Sequence, residues 1–247
     1  MKKNKKQTII QAWMFIPIIL LVLALAFFVL FYYFHLSNTF THGSRSTNKV
    51  SLTFDDGPAQ ETLNILKVLK ENNVTATFFV VGQNIEKNPE IFKELVKSGN
   101  EIASHTYSHS HLNFKSPSEI MEEIEKTDEL LARYNLTTNL FRTPEGHVSI
   151  FIWWGANKLG KKIILFDTIS HDYSDPGKEE IINNVLSKVK NGSIIDFHDY
   201  AYWRGDTTQT ADALKVIIPE LKKKYEIVPV SELINPKKPL GFNFNFQ

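Results

Sequence analysis

Thr53-Phe54-Asp55-Asp56-Gly57-Pro58 follows the short apolar run Val50-Ser51-Leu52 and precedes a helical pattern that starts near Glu61. That position puts two adjacent carboxylates at the end of a buried strand, where α/β folds carry their sites. Side by side, two carboxylates repel unless something positive separates their roles. A metal ion does so: one aspartate ligates it and the other stays free to move protons. Asp-Gly-Pro is also good turn chemistry, and the six residues alone are compatible with a plain turn.

Outward from this point the chain alternates strand and helix. Leu63, Leu66 and Leu69 put one apolar face on a helix from Glu61 to Asn72. Residues Val74 to Val81 are β-branched and aromatic and read as a buried strand. A helix over Pro89 to Lys97 has proline in its first turn and Gly99 just past its end. Glu101-Ile102-Ala103 is a short strand. Ser116-Pro117-Ser118-Glu119 is a capping box that opens a helix to about Tyr134. Leu140-Phe141 is a strand, Ser149 to Leu159 a helix and Lys162 to Phe166 a strand. After these come helix Lys178 to Val189, strand Ser193 to Phe197, helix Thr207 to Lys223 and strand Glu226 to Val230. The class is α/β with a mainly parallel sheet. A barrel is favoured over an open sheet, because polar candidates follow many successive strands and must converge.

The chain has 247 residues, room for one domain of about 200 residues and an extension. It has no cysteine, so a disulfide framework and a thiolate metal site are excluded, and any metal must be held by His, Asp or Glu. Of 28 basic residues, Lys2, Lys3, Lys5 and Lys6 crowd the start, which leaves 24 against 27 acidic ones and a net charge of −3 for the remainder. No nucleic-acid partner is expected from that balance. Residues 12–34 run 23 positions without a charge. A helix of that length spans about 34 Å, enough for a hydrocarbon core of ~30 Å. Trp13 at one end and Tyr32 and Tyr33 at the other suit interfacial belts, and the preceding lysines put the tail in the cytoplasm. A cleaved signal peptide is the alternative, but its apolar region is shorter, about 7–15 residues, and no clean cleavage site follows here. The expected organisation is a cytoplasmic tail over 1–11, a transmembrane anchor over 12–34 and a polar linker over 35–48. A catalytic domain over 49–235 and a C-terminal tail over 236–247 follow.

Ser104-His105-Thr106-Tyr107-Ser108-His109 places two histidines four apart after a short strand. On a helical turn residues at this spacing share a face, so both rings can reach one ion. Taken alone, such a pair is equally a pair of solvated or capping histidines. With one of the aspartates it makes a two-histidine, one-carboxylate set that leaves positions open for water. Phe197-His198-Asp199 ends another strand, and a histidine there titrates near neutral pH and can act as acid or base. Arg142 and Asp172 occupy comparable loops; an arginine beside the free aspartate would keep it ionised, and an aspartate beside the histidine would favour imidazolium. Surface ion pairs are the alternative for both.

At these residues the chain resembles the polysaccharide deacetylases, carbohydrate esterase family 4. Thr53 to Pro58 is similar to the family's aspartate motif, His105 to His109 to its His-[Ser/Thr]-x-x-His motif and Arg142 to Gly146 to its arginine-proline motif. Asp172-Tyr173 is similar to its Asp-Trp pair and His198-Asp199 to its closing His-Asp, all in the family's order over Val50 to Val230. The resemblance implies a distorted (β/α) barrel with about seven repeats that removes acetyl groups from glycans using one divalent ion. Zinc is expected, with cobalt or nickel possible. It implies that Asp56, His105 and His109 bind the metal, that Asp55 is the general base acting on water and that His198 is the general acid. It further implies that Arg142 positions Asp55 and Asp172 tunes His198.

Three groove positions depart from the family's usual residues: Glu145 replaces tyrosine, Tyr173 tryptophan and Asp196 leucine. They imply a more acidic, less apolar pocket mouth. His111 reads as exposed or a groove contact, at least one of Trp153 and Trp154 as core, and Tyr200, Tyr202, Trp203 and Arg204 as groove lining. The expected protein is a single-pass membrane enzyme with a monomeric, extracytoplasmic catalytic domain that N-deacetylates cell-wall or surface polysaccharide, foremost the GlcNAc of peptidoglycan. The alternatives are a deacetylase of exopolysaccharide or chitin-like oligomers, a catalytically weak glycan-binding protein on the same fold and a metal-dependent phosphoesterase. A phosphoesterase would be expected to carry a second carboxylate-rich metal cluster.

Overall fold

The computed structural model describes residues 13, 15–29, 38–201 and 208–235. Residues 15–29 are helical (α1). Among the described residues no helix is long and apolar enough to cross a membrane; both ends of the predicted 12–34 span lie outside them. So do the basic tail, residues 202–207 and the tail from 236.

From Thr39 onward the chain is a second compact unit. Its strands are β1 (Thr39–Phe40), β2 (Lys49–Asp55), β3 (Thr77–Val80), β4 (Glu101–Ser104), β5 (Leu140–Phe141), β6 (Lys162–Ile164), β7 (Thr168–Ile169), β8 (Ile194–His198) and β9 (Glu226–Ile227). Its helices are α2 (Gln60–Glu71), α3 (Gly82–Lys87), α4 (Pro89–Lys97), α5 (Pro117–Ala132), α6 (Ile150–Lys158), α7 (Lys178–Leu186), α8 (Thr208–Lys222) and α9 (Val230–Ile234). The strand order is β1-β6-β5-β4-β3-β2-β8-β7, and β9 pairs with β2. Every one of these pairings is parallel.

The sheet curls. β5 and β8 are four strand spacings apart, about 19 Å if flat, yet Arg142, just after β5, reaches Asp196 of β8 at 3.0 Å. The alternation of β2 explains both faces of the curl. Leu52 and Phe54 point outward and join Ile65 and Leu69 of α2, Phe197 of β8 and Leu214 of α8 in one apolar cluster. The Phe54 ring stacks 4.9 Å from Phe78 and 5.6 Å from Phe197. Burial of each such side chain contributes roughly 1.5–3 kcal/mol. Ser51, Thr53 and Asp55 point inward, where Ser51 Oγ donates to Val228 O at 2.6 Å and Thr53 Oγ1 to Ile195 O at 2.8 Å. In β8 the outward pair is Ile195 and Phe197, and the inward positions are Ile194, Asp196 and His198.

Several sequence expectations need correction. The 35–48 segment is not a linker throughout. Thr39–Phe40 adds a strand beside β6, Leu165 N donates to Phe40 O at 2.7 Å, and Gly43 N donates to Gly192 O at 2.8 Å. Arg45 then ties the segment to Asp167 at 2.5 Å. The α2 core face is Ile65, Val68 and Leu69 rather than the Leu63, Leu66 and Leu69 stripe. The strand expected over Glu226 to Val230 stops at Ile227, because Pro229 has no N–H for a ladder and instead stands at the start of α9. α3 and β7 were not expected. The capping box of α5 forms as read: Ser116 N donates to Glu119 Oε2 at 2.8 Å.

Candidate active site

The C-terminal ends of β2, β4, β5 and β8, with the segment after β7, surround a cavity of about 320 Å³ lined by Asp55, Asp56, His105, His109, Asp196 and His198 among others. Asp55 ends β2, and Asp56 follows in a left-handed conformation at φ 81° that turns its carboxylate back over the strand end. Gly57 N donates to Asp199 Oδ1 at 2.8 Å, Thr62 Oγ1 donates to Asp199 Oδ2 at 2.5 Å, and Asn84 Nδ2 donates to the Asp56 carbonyl at 2.7 Å. Burial outweighs those two donors and pushes Asp199 up to about 7.

His105 and His109 do not sit on a helical turn. They lie in an irregular loop in which Thr106 and His109 have φ of 69° and 53°. Glu123 of α5 holds that loop. It accepts from Tyr107 N at 3.1 Å, Ser108 N at 2.8 Å, Ser108 Oγ at 2.6 Å and Ser110 Oγ at 3.2 Å. Burial opposes the charge of Glu123, but these donors win and lower its pKa.

Asp56, His105 and His109 fit a divalent ion. Asp56 Oδ1 is buried without a hydrogen-bond partner, 3.4 Å from His105 Nε2 and 3.0 Å from His109 Nε2. Tetrahedral ligands at zinc distances stand about 3.3 Å apart. His105 Nδ1 lies 2.9 Å from Arg142 O, which fixes its proton there and leaves the Nε2 lone pair toward the shared point. Burial works against the charge of Asp56, but the facing histidines hold its carboxyl well below the usual range.

The remaining candidates adjoin this triad, with Asp55 Oδ2 3.8 Å from His105 Nε2. Arg142 is fully buried, and its Nη1 donates to Asp55 Oδ1 at 2.7 Å, Thr53 Oγ1 at 2.8 Å and Asp196 Oδ1 at 3.0 Å. Its guanidinium lies 4.1 Å from the Phe79 ring centroid. Asp172 Oδ1 is 2.8 Å from His198 Nδ1, while Asp172 Oδ2 accepts from His198 N at 2.9 Å and Thr210 Oγ1 at 2.7 Å. Burial opposes an imidazolium at His198, but the Asp172 charge and hydrogen bond raise its pKa well above the ordinary value. Asp55, Asp196 and His198 each present an atom within 4.8 Å of the others. Burial first, and then the Asp55 charge, push Asp196 up to about 8.

All seven metal and catalytic candidates therefore converge. Of the groove candidates, Tyr173 packs edge-on to His198 at 5.2 Å between centroids and lines the cavity. Glu145 also lines it, and its Oε2 lies 3.1 Å from His111 Nδ1 and 3.5 Å from His147 Nδ1. Asp196 is not at the mouth, as expected from sequence, but 2 % exposed at the floor. Its inward direction was readable from the β8 alternation that carries His198. Trp153 packs against the α6 cluster and Trp154 is exposed. Tyr202, Trp203 and Arg204 lie outside the described residues. Glu123 and Asp199 escaped sequence reading because their partners come from other elements.

A model of the polysaccharide deacetylase family matches residues 42–164. The chain is 33% identical over 192 residues to a peptidoglycan-N-acetylglucosamine deacetylase of Bacillus cereus, covering 76% of this chain and 89% of that one. It is 32% identical over 200 residues to a chitooligosaccharide deacetylase of a Bradyrhizobium species, covering 76% and 91%. The crystal structure of the Bc1960 peptidoglycan N-acetylglucosamine deacetylase superposes with a TM-score of 0.77 at 34% identity, over 81% of this chain and 94% of that one. The chain belongs to the polysaccharide deacetylase family, carbohydrate esterase family 4, a family of hydrolases acting on amide bonds.

Proposed function

We propose that this protein is a metal-dependent N-deacetylase of bacterial cell-wall polysaccharide, acting on the GlcNAc of peptidoglycan as a monomer, outside the cytoplasmic membrane and anchored to it through residues 12–34. The observation that carries the catalytic reading is that two sets share one cavity: the Asp56, His105 and His109 triad, and a register-paired Asp55 and His198. The peptidoglycan substrate is supported by the B. cereus relative and its structural likeness. The anchor is supported by the uncharged run and the lysines before it.

Asp56, His105 and His109 would hold the ion. When bound, a divalent ion there acidifies water and polarises the acetyl carbonyl. Asp55, oriented by the hydrogen bond from Arg142 Nη1, takes the proton of the attacking water. His198, kept protonated by Asp172, delivers a proton to the sugar nitrogen as the carbon–nitrogen bond breaks. The products are acetate and a free amino sugar. Phe166, Ile169 and Tyr173 give one side of the cavity an apolar lining.

Chitin-like oligomers are a second reading, favoured by the Bradyrhizobium relative. Acetate release by the full chain from purified peptidoglycan and from N-acetylglucosamine oligomers tests both. Release from peptidoglycan that a chelator abolishes and zinc restores is expected. Release from oligomers alone would move the substrate, and release from neither would remove the deacetylase reading. Recovery of the protein in the soluble fraction of lysed cells would remove the anchor.

A further inference from the structure

Asp196 and Ile169 are register partners where β7 runs parallel to β8. Register partners in parallel strands face the same side, and both residues line the cavity. Their surroundings differ. Asp196 is 2 % exposed, and its Oδ1 accepts from the same Arg142 nitrogen that holds Asp55. Arg142 lies between the Phe79 and Phe166 rings, 4.1 and 5.2 Å from their centroids. Its Nε and Nη2 donate to the Ile164 and Leu165 carbonyls at 3.1 and 3.3 Å and set the plane of the guanidinium, while Asp196 and Thr53 share Nη1 with Asp55 and set where that nitrogen points. Ile169 is half-buried and joins none of the three apolar clusters, so its exposed apolar surface belongs to the cavity, beside Phe166 and Tyr173. On this part of the cavity the β8 strand thus offers the polar Asp196 and its register partner on β7 the apolar Ile169.

We propose that β7 and β8 divide two tasks: Asp196 is a positioning residue that holds Arg142 against Asp55, and Ile169 is the specificity-determining wall for the methyl of the acyl group. The proposal rests on the deacetylase reading above. It predicts that acyl preference follows residue 169 and turnover follows residue 196.

The test compares kcat and KM on N-acetyl and N-propionyl glucosamine oligomers for the zinc-loaded full chain and three variants. Ile169→Ala removes the wall and shifts the acetyl-to-propionyl ratio of kcat/KM toward propionyl by about tenfold, the scale of one methylene in an apolar pocket. Asp196→Leu lowers kcat by roughly 100-fold at near-constant KM and leaves that ratio in place. Asp196→Asn, which keeps an acceptor for Arg142, recovers most of that loss. A shifted acyl ratio in either Asp196 variant, or an unshifted one in Ile169→Ala, overturns the assignment. Should Asp196→Leu fail to fold, Asp196→Asn and Ile169→Ala still decide. Calorimetric binding of acetate and propionate to the zinc-loaded protein reads the same preference without turnover. A wild type that releases no acetate thus sinks the deacetylase reading, while unaltered acetate and propionate binding in Ile169→Ala sinks this one.

Discussion

The two sides of the cavity are built differently. On the metal side, Asp56 follows β2 directly, and His105 and His109 share one short loop after β4. The donor set is compact, with two imidazoles and one carboxylate, and it is aimed by local backbone: left-handed residues at 56, 106 and 109, held by Asn84 and Glu123. In the proposed proton-moving set, Asp55 ends β2 beside Asp56, but its partners come from afar: Arg142 from beyond β5, Asp172 from beyond β7, Asp196 and His198 from β8, and Thr210 from α8. That side is a buried set of unlike charges, and its protonation states depend on the whole set. Short motifs fix a ligand cluster, whereas a charge network is fixed only by the fold.

Breaking the metal side should have the largest effect. His105→Ala or Asp56→Asn removes a proposed ligand, so metal content by plasma emission should fall from one ion per chain to near none, and acetate release should disappear with it. Asp55→Asn separates the sides: acetate release falls by roughly 10²–10⁴-fold while the metal stays bound. Loss of metal in Asp55→Asn would place Asp55 among the metal-holding residues.

His198→Ala should cost a similar 10²–10⁴-fold on an N-acetyl amide, whose nitrogen leaves poorly without a proton. On an aryl acetate, with a leaving group that needs no acid, the loss should shrink to less than about tenfold. An equal loss on both substrates would assign His198 to binding rather than to acid catalysis. Asp172→Asn sharpens the same side. The active form needs His198 protonated, and Asp172 raises its pKa. Removing that charge lowers the pKa, so activity is lost at lower pH and the alkaline limb of the kcat profile moves down. An unmoved limb would mean that another group sets it.

The smallest effect should come from behind the metal loop. Glu123→Gln keeps the shape but loses acceptor strength toward Tyr107 N and Ser108 N. Metal affinity should weaken about 10- to 100-fold, the usual range for an outer partner of a ligand. A competition titration with a chelating dye measures it, and unchanged affinity would show that the loop holds its own shape.

Much of this was readable in the sequence. The strand ends that carry Asp55, His105, Arg142 and His198 were placed by apolar runs followed by polar motifs, and the roles of those residues came from the resemblance. β1 was not readable, because Thr39–Phe40 lies in a polar Ser/Thr/Asn stretch and gains its pairing only from β6. The apolar run Val228-Pro229-Val230 extends the expected last strand to Val230, but Pro229 forbids a continued ladder, and α9 beyond it carries no helix signal in that reading. The His105 to His109 spacing suggested a helix, but Glu123, fourteen residues beyond His109, selects a loop instead. Asp196 was seen as a departure from the family and given to the pocket mouth. Strand alternation puts it inside with His198, and only the structure supplies its partner, Arg142.

The most direct test of the account is acetate release from purified peptidoglycan by the zinc-loaded full chain, measured beside Asp55→Asn with metal content determined for both. Release by the wild type, a loss of at least about 100-fold in the variant and one ion per chain in each are expected. Equal release by the two proteins, or none by a wild type that holds its metal, would contradict it.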